Sequence, residues 1–143
     1  MLWWIPLRKS RRSSSKMPKE NHESVDDIYR EEILELYKSP SNFGQLKNLT
    51  HKHTSYNSIC GDEITVEMII KGEKVDDIKF SGSGCVISMV AASLLTDKIK
   101  SMPISQIKTI KAEEVLSLLK TKLSPSRMKC ALLSFEAVKG ALR

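Results

Sequence analysis

Between residues 63 and 70 the chain alternates Ile64, Val66, Met68 and Ile70 with Glu63, Thr65 and Glu67. A period of two predicts a strand with one face on a core and the other in water. The "KGEK" at 71–74 reads as a hairpin turn, and residues 75–80 predict the returning strand, so this part of the chain is antiparallel. Residues 48–56 are compatible with a short strand of weaker pattern. On either side the period becomes helical. Val25, Ile28, Tyr29, Ile33, Leu36 and Tyr37 follow a capping pattern at Ser24 and Asp27, predicting a helix to about Lys38. Pro40, Asn42 and Gly44 in "SPSNFGQL" then supply turn chemistry. Residues 86–100, with Val90, Leu94 and Leu95, predict another helix. Pro103 opens a short helical turn, 112–120 reads as a third helical segment, and Pro125 begins a final helix carrying Leu132, Leu133, Phe135, Val138 and Leu142. Strands followed by helices predict an α+β domain: a small antiparallel sheet of about three strands, with an N-terminal helix and C-terminal helices on one face.

Composition narrows this to one domain. The 143 residues, 41% of them apolar, can build one core and hardly two. No apolar run approaches the length of a membrane span, and no internal repeat is present. The net charge of +6 is local: Arg8, Lys9, Arg11, Arg12, Lys16 and Lys19 precede the first acid, leaving 17 basic and 17 acidic residues beyond them. The body of the chain therefore has no electrostatic footprint for nucleic acid. Residues 1–22 read as a disordered basic extension, with Met17 as an alternative start, and residues 23–143 as the domain. In the extension an apolar patch precedes the charges, the reverse of a secretory signal. Its Arg-rich, Ser-rich composition is also that of a transit peptide. The expected location is the cytoplasm, or an organelle matrix if the extension is such a peptide.

Three cysteines carry the candidate chemistry. Cys60, Cys85 and Cys130 are spaced too widely for a C-x-x-C motif, and an odd number of thiols without an export signal argues for reduced cysteines. Their surroundings are informative. Cys60 lies in a polar turn before the predicted strand, and free cysteine is ordinarily buried. Asp62, two residues on, would share a side with Cys60 in an extended chain. Alternatively, Asp62 is a turn residue bonded to nearby backbone. Cys85 stands between a loop containing Gly82 and Gly84 and a helix start, where backbone amides favour a thiolate and glycines admit a close ligand. Arg127 and Lys129 flank Cys130 and would favour its thiolate too. Three thiolates and one carboxylate form a mixed set acceptable to zinc or to the irons of a cluster.

The blocks "CGDEITVEM", "FSGSGCVISMVAASLLTDKI" and "RMKCALLSFEAVKGAL", with "SPSNFGQL" after the first helix, resemble the IscU/SufU/NifU N-terminal family of iron–sulfur cluster assembly proteins over about residues 25–142. The resemblance implies a SufE/NifU-like fold in which Cys60, Asp62, Cys85 and Cys130 converge at one exposed edge. It also implies a scaffold that takes persulfide sulfur from a cysteine desulfurase, builds a transferable [2Fe–2S] cluster and passes it to apo client or carrier proteins. The second branch of the family is a zinc-dependent sulfurtransferase. Cys60 and Cys130 are the expected persulfide acceptors, with Gly61, Gly84, Arg127 and Lys129 in support. The chain has Lys129 where the scaffold branch has His, and "LSPSR" where that branch has Leu-Pro-Pro-Val-Lys. It shares "RxKC" with the zinc branch but lacks that branch's insertion between the second and third cysteines, which makes it most similar to a SufU-like member without the insertion. The expected role is that of a scaffold rather than an enzyme, with sulfurtransferase activity as the alternative; neither nucleic acid nor membrane is an expected partner. His22, His51 and His53 are expected outside the site, Met89 and Met128 as core fillers, and Glu31, Glu32 and Glu35 on a solvated helix face.

Overall fold

In the computed structural model residues 21–143 are described, with side chains from Arg30 onward. Of the extension expected over residues 1–22, residues 1–20 lie outside this range. The elements, in order, are α1 (Asn21–Lys38), β1 (His51–Asn57), β2 (Asp62–Lys71), β3 (Lys74–Ser83), α2 (Val86–Ile99), α3 (Ile104–Ile107), α4 (Ala112–Ser117), α5 (Pro125–Ala131) and α6 (Leu133–Ala141). The α+β expectation holds.

The strands form an antiparallel meander in the order β1-β2-β3. Across it, His53 opposes Val66, which opposes Phe80, and Met68 opposes Ile78, so one face gathers Val66, Met68, Ile78 and Phe80. These are fully buried beneath α2 and α6, together with Leu95, Ile99, Leu133 and Val138. A second, smaller apolar cluster of Ile87, Val90, Ala91, Leu119, Cys130 and Ala131 joins α2 to α5, with Ile33 and Leu36 of α1 packed on it. Met89 is a partly buried core filler, as expected, whereas Met128 is 39% exposed and is not.

Several boundaries move, each for a physical reason. The first helix is already formed at Asn21, so Asn21 and His22 belong to it and Ser24 is interior rather than a cap. β3 continues to Ser83, which turns most of the expected glycine loop into strand. The final helix is two segments, because Leu132, at φ −92° and ψ −1°, ends α5 and begins α6. Ser124 accepts a hydrogen bond from the Arg127 N–H and caps α5, with Pro125 in its first turn.

Glu67, expected on a wet face, is buried. The segment after α1 returns across that face: the Gly44 N–H donates to the Phe80 carbonyl, and the Phe80 N–H donates to that of Asn42, both at 2.9 Å. Asn42 Nδ2 donates to Asp97 Oδ1 on α2 at 2.8 Å, anchoring the segment. The Leu46 N–H then donates to Glu67 Oε1 at 2.7 Å, while Lys52 Nζ stands 3.8 Å from Oε2. A loop with its own backbone donors has replaced water around this carboxylate.

Candidate metal centre

The site lies where the core face of the sheet runs out. Asn57 opposes Asp62 at the last pair of β1 and β2, and the turn between them carries Cys60. The Gly61 N–H closes that turn onto the Asn57 carbonyl at 2.8 Å. Gly61 itself sits at φ +73°, where a side chain would be strained. Cys60 and Asp62 are thus brought together by a bend rather than by a shared strand face. Cys60 faces solvent; Asp62, the first residue of β2, is buried.

Asp62 is not bonded within its own turn. Its Oδ1 accepts from the Cys85 N–H at 3.2 Å, and its Oδ2 accepts from the Ser88 hydroxyl at 2.6 Å. Cys85 is the N-cap residue of α2, but its side chain makes no capping bond. The carboxylate from β2 instead holds the N-cap residue's own N–H, and its charge meets the helix's positive end. Gly84 makes this possible: a Cβ there would lie 3.2 Å from Asp62 Cγ and 3.1 Å from Ser88 Cβ. Its smallness makes room for Asp62 and Ser88. Gly82, at φ +129°, is required by the Glu63 carbonyl across the sheet.

Cys130 reaches the same place from α5. Its Sγ is 3.3 Å from that of Cys60 and 3.7 Å from Asn57 Nδ2. The residue is 1% exposed, and its thiol pKa is pushed up to about 12. Burial is the largest cause, followed by hydrogen bonds with Cys60 and Cys85, the charge of Cys85, and a hydrogen bond with Asp62. Arg127 and Lys129, expected to favour this thiolate, are both exposed and are not among the causes of its shift, of which desolvation is the largest. A bound cation would reverse that balance.

One ligand atom each from Cys60, Asp62 and Cys130 lies within 4.8 Å of the other two. Two soft sulfurs and a harder oxygen at this spacing fit zinc or iron. Cys85 lies outside this trio, although it contributes to the raised pKa of Cys130 and its Sγ is 3.6 Å from Ser88 Oγ. Ser88 and Asn57 were not singled out in the sequence. Ser88 lies three residues after Cys85, the spacing of one helical turn, which is the signal that could have found it.

Residues 28–143 match the family model of the NifU-like N-terminal domain. The chain belongs to that family. It is 33% identical over 132 residues to the zinc-dependent sulfurtransferase SufU of Bacillus subtilis, covering 80% of this chain and 89% of that protein. It is 31% identical over 132 residues to the iron–sulfur cluster assembly scaffold protein IscU of Thermotoga maritima, covering 81% and 93%. Among solved structures, a candidate iron–sulfur cluster assembly scaffold for the SUF system from Fervidobacterium islandicum superposes with a TM-score of 0.68 at 26% identity, covering 82% of this chain and 98% of that one. Both branches named from the sequence are thus represented among relatives of this NifU-like domain.

The remaining candidates are accounted for. His51 Nδ1 pairs with Thr50 Oγ1 at 2.8 Å, and the His53 ring packs against Gly140 of α6, so neither joins the trio. His22 has no described side chain. Glu31, Glu32 and Glu35 are exposed. Around Cys60 the surface is apolar, with Ile59 71% and Tyr56 69% exposed. No described helix is long and apolar enough to cross a membrane.

Proposed function

We propose that this NifU-like domain accepts sulfur and iron for iron–sulfur cluster assembly, with Cys60, Asp62, Cys85 and Cys130 as the residues that hold them. The observation that carries the reading is the trio within 4.8 Å, one member exposed and one buried. Cys60 is open to a donor's persulfide. Its thiolate attacks the terminal sulfur, the donor's S–S bond breaks, and the donor cysteine leaves as a thiolate. Cys130, 3.3 Å away, holds the other side of the site in a dry setting. Asp62 contributes an oxygen ligand, less firmly matched to iron than a fourth thiolate, which suits a [2Fe–2S] product that must leave.

The sulfur donor is a cysteine desulfurase, and the recipients are apo client or carrier proteins. Exposed thiols require a reducing compartment, either cytoplasm or an organelle matrix. Anaerobic incubation with ferrous iron, cysteine and a desulfurase should give [2Fe–2S] absorption and Mössbauer spectra that Cys60→Ala abolishes. A wild-type protein that never acquires them would sink the scaffold reading.

A second reading, zinc-dependent sulfur transfer, is favoured by the 33% identity to the B. subtilis protein. Bound zinc would stabilise the thiolates at this site. Cys60 would still receive the sulfur. Stimulation of a desulfurase by zinc-loaded but not metal-free protein, without cluster formation, identifies this branch.

A further inference from the structure

We propose that Ser88 is a positioning residue for the metal centre, fixing Asp62 as an oxygen ligand and tying it to the cysteine-bearing helices. This rests on the reading that the cluster binds metal, and assigns a role to a residue outside the ligand set. Ser88 is fully buried in the first turn of α2. Its Oγ lies 2.6 Å from Asp62 Oδ2, 3.2 Å from the Cys130 carbonyl and 3.6 Å from Cys85 Sγ. One hydroxyl therefore touches three of the four candidate ligand residues.

The other buried hydroxyls of α2 and α6 behave differently. Thr96 donates to Ala92 of its own helix at 2.7 Å and accepts from Asn42 Nδ2 at 3.0 Å, touching no candidate ligand, and Ser93 and Ser134 have no hydrogen-bond partner in the structure. Ser88 instead spans 26 residues to β2 and 42 to α5. A 2.6 Å bond from a hydroxyl to a carboxylate is short and charge-assisted. With the Cys85 N–H on Oδ1, each oxygen of Asp62 carries a donor from α2 and has a further lone pair that a metal can share. The two donors also fix the plane of the carboxylate. Without Ser88, Oδ2 loses its anchor and the group can turn away from the cysteines.

Partners of ligating groups typically govern metal affinity by 10- to 100-fold, so the test is binding. Zn2+ affinity is measured by competition with a chromophoric chelator, and Co2+ by its d–d absorption, on wild type, Ser88→Ala, Ser88→Thr, Asp62→Ala and the double variant. We expect Ser88→Ala to weaken Zn2+ binding about 10-fold or more and to shift the Co2+ bands. Ser88→Thr, which keeps the hydroxyl, should restore both, and in the Asp62→Ala background Ser88→Ala should have no further effect. A loss of equal size in both backgrounds overturns the proposal, because a merely structural hydroxyl would behave that way. Unchanged binding by Ser88→Ala overturns it as well. If Ser88→Ala does not fold, the Ser88 hydroxyl proton is followed by NMR in wild type, where it should exchange slowly and move on addition of Zn2+. A resonance that does not move counts against the proposal. Wild type that binds neither ion sinks the metal-site reading itself, a different failure from wild-type binding that ignores Ser88.

Discussion

Cys60 and Cys130 hold their sulfurs 3.3 Å apart, yet one faces water and the other is 1% exposed. Reactivity follows the thiolate fraction and access, so the two should separate under alkylation. In metal-free protein at pH 8, iodoacetamide should label Cys60 about 100-fold faster than Cys130 by mass spectrometry. Saturating zinc should protect both. The same burial has a pH signature. The Cys130 pKa rises from 9.0 to about 12 on folding, so the folded chain holds this proton more tightly than the unfolded one. Its contribution is complete below pH 9 and is lost as pH rises toward 12. Metal-free wild type should therefore lose stability over that window more steeply than Cys130→Ala, measured by urea denaturation at successive pH values.

At the scale of elements, Asp62 is both a candidate ligand and the acceptor that ties the start of α2 to β2. Asp62→Ala should cost about 1–3 kcal/mol of metal-free stability, as leaving a buried donor unsatisfied does. Asp62→Cys, which supplies a fourth thiolate, should hold a reconstituted cluster longer than wild type, as followed by its absorbance during transfer to an apo acceptor. Glu67→Ala, which strands the Leu46 N–H beneath its loop, should cost about 1–3 kcal/mol in urea denaturation. The pattern of residues 63–70 was sufficient for β2 and its neighbour, because a period of two is a local property. Burial of Glu67 was not legible, since it depends on a segment more than 20 residues away crossing the sheet. The cysteines were found through their polar settings and the resemblance of their blocks. The inverted environment of Cys130 was hidden because adjacent Arg127 and Lys129 say nothing of which way the helix turns the thiol. Ser88 stayed silent for a related reason: a serine in an apolar helix acquires meaning only when β2 brings Asp62 against it.

For the molecule as a whole, the sheet with α2 and α6 forms the larger core, and α1 and α5 meet the other side of α2 in the smaller one. Cys130 is a member of the smaller cluster, and Cys85 packs on it. A ligand that binds only the folded chain stabilises it by about 2.7 kcal/mol at one hundred times its dissociation constant. Zinc should accordingly raise the melting temperature in a concentration-dependent way, and chelation should return it.

Because the Cys130 side chain packs with Leu119 and Ala131, loading the centre is also an event inside that cluster. Backbone amides of α4 and α5 should exchange their hydrogens more slowly when the site is filled, while those at the β2–β3 pairing change little. Coupling of this kind is reciprocal. A partner that clamps the outer surface of those helices tightens the grip on the cargo, and one that pries them apart loosens it. Release could then be commanded from a surface that never touches a cysteine.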